Sequence, residues 1–146
     1  NVIAQDGALK ELFRALKRNE IIGLVFDRDV TESGRVIPFF GKPTRLPDGY
    51  AIMSLKLGAP VVPVFVLRQP DDSYAVHIEA PVLPEGRSSN DADVTRMMLA
   101  VGQVVEKYVT RYIDQWVYFH DVWPTETAAP DEAPRTSSQP ERGPEA

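Results

Sequence analysis

Residues 21–68 read IIGLVFDRDVTESGRVIPFFGKPTRLPDGYAIMSLKLGAPVVPVFVLR and decide the predicted fold class. They open with a short apolar run, 21–26, whose length and flanking polar residues predict a buried strand. A helix is predicted over 49–57 and a second buried strand over 61–67. Strand, helix and strand in this order predict an α/β fold, in which a mixed sheet is flanked by helices.

The predicted helix ends rest on capping residues. Asp48 precedes the 49–57 helix and is expected to cap it, while Gly58 suits the left-handed conformation that often ends a helix. Asp91 or Asp93 is expected to cap the longest helix of the chain.

Further elements are predicted on both sides of this stretch. Apolar residues at helical spacing predict helices over about 6–18 and 92–113. A polar turn before a strand at 74–79 predicts an antiparallel hairpin with the preceding strand. The strand at 74–79 alternates between apolar and polar residues, and its polar face is expected to carry His77 and Glu79.

Composition limits the function classes. With 146 residues the chain has room for one domain. It contains no cysteine, which excludes disulfides and thiolate metal sites, and its two histidines argue against an all-protein zinc site. No apolar run approaches the ~20 residues that span a bilayer. The formal net charge of −5 argues against nucleic acid as a partner.

The segment 124–146 differs in composition from the rest of the chain. It contains five prolines, five acidic residues and two arginines, and almost no large apolar side chain. Such a segment buries too little apolar surface to offset its ordering entropy. We therefore expect residues 1–123 to form the folded domain and residues 124–146 to be a disordered tail.

A charged cluster, Asp27-Arg28-Asp29, follows directly after the first predicted strand. In open α/β sheets, functional groups gather at the carboxyl ends of strands. The Arg28 guanidinium can bind a phosphate or a carboxylate with two hydrogen bonds. Two alternatives remain open: Arg28 bridges Asp27 and Asp29 as a structural brace, or the two aspartates hold Mg²⁺ in a phosphate-handling enzyme.

Two further motifs are candidates for a binding role. Phe39-Phe40-Gly41 lies in a segment that is predicted to be a brief strand or extended, followed by a proline-rich loop, and its two aromatic rings need an apolar surface to cover them. Gly41 permits a backbone conformation that other residues resist. Arg68 closes the second predicted strand and either pairs with an acidic neighbour or binds a headgroup.

The order of these motifs resembles the lysophospholipid acyltransferase superfamily. The similar branch comprises the lipid A (lauroyl/myristoyl) acyltransferases and the phosphatidylinositol mannoside acyltransferases, and the resemblance covers roughly residues 3–123. It implies that the Phe39-Phe40 region and the 49–57 helix line an acyl pocket. The substrate-binding residues that it implies are Asp27, Arg28, Asp29, Phe39, Phe40, Gly41 and Arg68.

The chain lacks the His-x-x-x-x-Asp motif that these enzymes use as catalytic base. His77 and His120 have Val82 and Thr125 where the motif requires aspartate. A base needs an orienting acid within hydrogen-bond reach, so neither histidine is assigned a catalytic role. We expect the chain to be the C-terminal part of an acyltransferase domain, separated from its N-terminal catalytic part.

The resemblance implies transfer of a fatty acyl group from acyl-CoA or acyl carrier protein to a hydroxyl of a glycolipid or lipid A-like acceptor. It implies no cofactor and no metal. It places the enzyme at the cytoplasmic face of the inner (plasma) membrane, either peripherally or anchored through a missing N-terminal segment, with the membrane surface as a further partner. The alternative is a non-catalytic α/β module that binds an anionic lipid or a protein partner.

Overall fold

The computed structural model describes residues 8–27, 29, 34–86, 89–118 and 122–123. In chain order the described elements are α1 (Ala8–Lys17), β1 (Arg35–Phe39), β2 (Lys42–Leu46), α2 (Gly49–Leu57), β3 (Val64–Arg68), β4 (Tyr74–Ile78), α3 (Asp91–Arg111) and a 3-10 turn at Ile113–Gln115. The α/β class predicted from the sequence is confirmed. The predicted tail at 124–146 and the start of the first predicted helix lie outside the described residues.

The strands form two hairpins instead of one mixed sheet. β1 pairs antiparallel with β2, and β3 pairs antiparallel with β4, each as a separate two-stranded sheet. The predicted hairpin between the second and third strands is therefore confirmed. An isolated antiparallel bridge between Val61 and Val82 extends this hairpin toward α2.

The predicted strand at 21–26 is wrong for the described chain. The segment is irregular, and Ile21 and Val25 are 99% and 75% exposed. A strand needs a partner to accept and donate its ladder hydrogen bonds. None of the backbone groups of 21–26 makes a hydrogen bond to the described residues.

The Phe39-Phe40-Gly41 motif makes the turn of the β1–β2 hairpin. Phe39 pairs with Lys42, which leaves Phe40 and Gly41 as a two-residue loop. Their φ angles are 50° and 72°, so both central residues are left-handed, as a type I′ turn requires. β2 was expected to be loop because it contains Pro43. The hairpin tolerates this proline because each of its strands has an edge that no other described strand pairs with.

The core lies where α3 meets the first hairpin and α2. The apolar face of α3 is buried against the inward residues of both elements. Burying an aromatic or branched side chain contributes roughly 1.5–3 kcal/mol, so this face accounts for much of the stability. The most deeply buried large side chains are Phe39, Ile37, Leu46, Leu55, Met98 and Val94.

The helix ends confirm one predicted cap and correct two. Gly58 ends α2 with φ 72°, and its N–H donates to the Ser54 carbonyl oxygen at 2.8 Å. Asp48 makes no side-chain capping bond to α2, because its carboxylate lies 3.6 Å from Arg35 Nε. α3 is capped by Asn90 and not by either predicted aspartate.

The Asn90 cap works through the residue three positions further on. Asn90 has an extended backbone, and its Oδ1 accepts a hydrogen bond from the Asp93 N–H at 2.9 Å. Its Nδ2 donates to Asp93 Oδ2, also at 2.9 Å. Asp93 therefore acts as the acidic residue of the first turn, where a carboxylate complements the helix dipole.

The two faces of β4 are oriented opposite to the prediction. Ala75, His77 and Glu79 are half-buried, whereas Tyr74 and Ile78 are 66% and 72% exposed. Glu79 turns inward because its carboxylate accepts a hydrogen bond from the Tyr108 hydroxyl of α3 at 2.6 Å. The second hairpin consequently presents an apolar face to solvent.

Candidate functional site

The described residues form a cleft of about 460 Å³. It is lined by the segment 22–27, by α2, by residues 59–67 and by one side of α3. Its volume lies in the range of about 300–1,000 Å³ that small-molecule pockets occupy. The lining is mainly aliphatic and aromatic, which suits an apolar occupant.

Asp27 lies in the lining of this cleft, at the end of the apolar segment. Its Oδ2 accepts a hydrogen bond from Trp116 Nε1 at 3.1 Å, and Trp116 also lines the cleft. Trp116 is held in turn by edge-on packing against the ring of Phe39, with 6.2 Å between the centroids. The carboxylate is therefore fixed by an indole that is itself anchored in the core.

The other members of the charged cluster are placed differently. Asp29 Oδ2 accepts a hydrogen bond from the Gly34 N–H at 2.7 Å. Gly34 permits this approach, because a Cβ there would lie 2.6 Å from that oxygen. Arg28 lies outside the described residues, so its role as brace or ligand stays a prediction. Within the described ranges, no three metal-ligating side chains form a cluster.

Phe39, Phe40 and Gly41 do not line the cleft. Phe39 is 1% exposed and belongs to the core. The Phe40 N–H donates to Glu106 Oε1 at 2.6 Å, and the Phe39 carbonyl oxygen accepts a hydrogen bond from Trp123 Nε1 at 3.3 Å. The motif is thus a turn pinned onto α3 and onto the aromatic segment after it.

Of the region that the sequence linked to an acyl pocket, only α2 reaches the cleft, through Tyr50, Met53 and Ser54. The Tyr50 hydroxyl is buried and has no hydrogen-bond partner among the described residues. Burial raises the pKa of Tyr50, and the nearby Asp48 carboxylate raises it further. The phenol is therefore neutral at physiological pH.

Arg68 lies at the exposed end of β3 and pairs with an acidic neighbour. Its Nε donates to Asp72 Oδ1 at 3.0 Å. Its backbone N–H and carbonyl oxygen both bond to the side-chain amide of Gln115, at 2.9 and 3.1 Å. The ion pair is the arrangement that one of the two sequence interpretations predicts, and a substrate-binding role for Arg68 stays a prediction.

Comparison with known proteins identifies the family of this chain. The family model of the bacterial lipid A biosynthesis acyltransferases matches residues 1–125. The chain belongs to this family. The match includes every described residue of the fold, and so includes Asp27 and Trp116.

Curated relatives of this acyltransferase-family chain point to the same branch. A phosphatidylinositol mannoside acyltransferase of Mycolicibacterium smegmatis is 30% identical over 112 residues, which cover 77% of this chain and 35% of the relative. A protein of the same name from Mycobacterium tuberculosis is 38% identical over 52 residues, which cover 36% of this chain and 16% of the relative. The chain thus spans about a third or less of the length of these relatives.

A second polar cluster, separate from Asp27, lies between β4 and α3. Glu79 accepts the Tyr108 hydroxyl hydrogen bond and lies 3.6 Å from Lys107 Nζ. The Tyr108 hydroxyl holds the pKa of Glu79 below its usual value, and Lys107 lowers it further. The Tyr108 ring stacks on Phe65 at 3.7 Å and meets the His77 ring edge-on at 5.8 Å. His77 is therefore a packing residue between the hairpin and α3.

Sequence reasoning found Asp27 but missed its partner. Trp116 lies 89 residues away, in an aromatic run interpreted only as a family marker. The signal available was the indole N–H, which needs an acceptor when it is partly buried. Glu106 was missed for a similar reason, because a glutamate at a half-buried helix position has no specific sequence signature.

Proposed function

We propose that this chain is part of an enzyme that transfers a fatty acyl group from an acyl thioester to a hydroxyl of a glycolipid. The thioester is acyl-CoA or acyl carrier protein, and the acceptor is of the phosphatidylinositol mannoside kind. The observation that carries the proposal is the family match over residues 1–125. The similarity to the two mycobacterial relatives favours a mannoside acceptor over lipid A.

The reaction needs a base that this chain does not carry. The acceptor oxygen attacks the thioester carbonyl, its proton passes to the base, and the carbon–sulfur bond breaks to release the thiol. We propose that a His-x-x-x-x-Asp pair in another part of the polypeptide supplies the base and orients it. The isolated chain is therefore expected to be inactive.

The chain's own contribution is to bind the acceptor. Asp27 is held at the cleft by Trp116 and presents an oxygen that can accept a hydrogen bond from an acceptor hydroxyl. Arg28 and Asp29 complete the proposed acceptor site, with Arg28 pairing with the acceptor phosphate. Phe39, Phe40, Gly41 and Arg68 stay in the proposed substrate-binding set.

We propose that the enzyme works at the cytoplasmic face of the inner membrane, where its lipid acceptor lies. Within the described part of the chain, no helix combines the length and the apolar character needed to cross a bilayer. The proposal includes the membrane surface as a partner of the enzyme.

A chimera tests the proposed function. Residues of this chain would replace the matched segment of the M. smegmatis relative, and the product would be incubated with acyl-CoA and a phosphatidylinositol mannoside acceptor. Mass spectrometry should detect an acceptor heavier by one acyl group. The isolated chain serves as a negative control, in which His120→Ala should change nothing.

The same experiment distinguishes the acyltransferase from the alternative, a non-catalytic binding module. A non-catalytic module would give a chimera that melts cooperatively and binds anionic lipid vesicles but forms no acylated product. Turnover by the isolated chain that disappears in His120→Ala would overturn the assignment of the base to another part of the polypeptide.

A further inference from the structure

Two backbone edges that have no strand partner among the described residues line the same cleft. The first is the segment 21–26, which is strand-like in composition but makes no backbone hydrogen bond to the described residues. Ile22, Leu24, Val25 and Phe26 line the cleft, and of these Leu24 and Val25 are also exposed to solvent, as is Ile21. Exposed apolar segments of strand length with open backbone groups are sites where another strand adds.

The second edge is the outer edge of β3. Glu79 N–H donates to the Pro63 carbonyl oxygen at 3.0 Å, and Gln69 N–H donates to the Ser73 carbonyl oxygen at 2.8 Å. Hydrogen-bonded and non-hydrogen-bonded pairs alternate along an antiparallel ladder. The N–H and C=O groups of Val64 and its second neighbours along β3 therefore point away from β4.

Gln115 shows how this outer edge is satisfied at one end. Its side-chain amide accepts a hydrogen bond from the Arg68 N–H at 2.9 Å and donates one to the Arg68 carbonyl oxygen at 3.1 Å. These are the two bonds that one residue of a neighbouring antiparallel strand would make through its own N–H and C=O. Val64 and Val66 have no such partner among the described residues.

The second hairpin also exposes an apolar face. Its outward residues lack any charged side chain apart from Arg68 at the strand end, and a contiguous apolar surface of this kind marks an interaction site. Sheets buried on both faces have strands that are apolar on both faces, as β3 is here. The exposed residues of this face are Val62, Val64, Val66, Tyr74, Val76 and Ile78.

We propose that the cleft is a slot for a β-strand, which lies between the segment 21–26 and β3 and pairs with both. The strand comes from the part of the acyltransferase polypeptide that corresponds to the remaining length of the relatives, of which this chain spans 35% or less. An acyl chain could fill the apolar cleft, but it offers no donor or acceptor to the open backbone groups. A strand offers both donors and acceptors to these groups.

The proposal rests on the proposed function only for the origin of the strand. Its consequence for the enzyme is that the inserted strand joins the two unpaired edges into one sheet and brings a further strand end next to Asp27. The acyl pocket then lies outside this cleft, on the completed domain.

Hydrogen exchange of the β3 amides tests the proposal. In the isolated chain, Val64 and Val66 should exchange at the rate of unpaired amides, and acyl-CoA should not protect them. In the chimera with the M. smegmatis relative, both should exchange at least about a hundredfold more slowly, because a paired amide exchanges only when the sheet opens. Protection by acyl-CoA alone, or protection in the isolated chain that grows with concentration, would identify a lipid or a second copy instead.

Proline substitutions give a second, independent measurement. Val66→Pro removes an N–H that the hairpin does not use, and Val76→Pro, at the paired position of β4, is the matched control. In the isolated chain the two substitutions should lower the melting temperature about equally. In the chimera, Val66→Pro should lower the melting temperature more than Val76→Pro, because only Val66 faces the slot.

The two proposals fail separately. An inactive chimera with protected Val64 and Val66 amides leaves the strand slot standing and removes the acyltransferase function. An active chimera in which these amides exchange as fast as in the isolated chain overturns the strand slot. Equal effects of the two proline substitutions in the chimera would also overturn it.

Discussion

Replacing Glu106 by alanine should destabilise the fold through the Phe40 turn. Glu106 Oε1 accepts the Phe40 N–H at 2.6 Å, across 66 residues of chain. Phe40 has a φ of 50°, a left-handed conformation that costs a non-glycine residue about 1–2 kcal/mol. The carboxylate therefore holds a turn that would otherwise tend to relax.

The magnitude follows from the kind of bond that is lost. A hydrogen bond to a charged group contributes about 1.5–3 kcal/mol, and Glu106 is half-buried, so solvent compensates only in part. Alanine has a slightly higher helix propensity than glutamate, which returns a few tenths of a kcal/mol. We expect Glu106→Ala to lower the free energy of unfolding by about 1–2.5 kcal/mol, and Glu106→Gln, which keeps an acceptor, by less.

Urea unfolding of the chain, followed by tryptophan fluorescence, measures this loss. The chain has two tryptophans, Trp116 and Trp123, and both pack against Phe40. Gln103→Ala, on an exposed position of the same helix, is the matched control. If Glu106→Ala and Gln103→Ala unfold at the same urea concentration, the turn does not depend on the carboxylate.

Three further predictions concern stability and order. Gly58→Ala should lower the free energy of unfolding by about 1–2 kcal/mol because the φ angle of Gly58 is 72°. Gly102→Ala should raise it by about 0.5–1 kcal/mol because an added Cβ meets nothing within 4 Å in the helix, and equal melting temperatures of the two variants would contradict this pair. The pKa of Glu79 is lowered in the folded state, so this carboxylate stabilises the fold above its unfolded pKa, and the effect is lost as the pH falls through the lowered pKa. Tyr108→Phe should therefore destabilise the fold at pH 7 and less as the pH falls through that pKa; a pH-independent difference would refute this. Limited proteolysis should trim residues 124–146 first, and strong exchange protection there would contradict a disordered tail.

Much of the local structure could be predicted from the sequence. The bounds of α2 agree with the prediction because Gly58 ends it through a left-handed backbone, a local effect. The hairpin of β3 and β4 is predicted by the polar turn between them. α3 was predicted from its apolar spacing, and only its cap was wrong, since Asn90 caps as well as aspartate does.

The failures involve partners distant in sequence. The segment 21–26 has strand composition, but a strand forms only where another strand pairs with it. The orientation of β4 was decided by the Tyr108 hydroxyl, which draws Glu79 inward. The first hairpin was half missed because Phe40 occupies a type I′ position where asparagine or glycine is the usual signal.

The candidate site follows the same division. Asp27 was found by its place after an apolar run, which local sequence reveals. Its hydrogen bond to Trp116 depends on how the last aromatic segment returns to the cleft, and no spacing rule gives that. The same holds for the buried Tyr50 hydroxyl, which has an ordinary position in α2.

The most direct test of the central claim is the kinetics of acyl transfer by the chimera when its acceptor site is altered. Asp27→Asn and Arg28→Ala should each reduce kcat/KM for the mannoside acceptor about ten- to a hundredfold, because each removes a charge-assisted contact of about 1.5–3 kcal/mol. The KM for acyl-CoA and the melting temperature should stay unchanged. Unchanged acceptor kinetics with a lowered melting temperature would show that the cluster is only a structural turn, and would contradict the account.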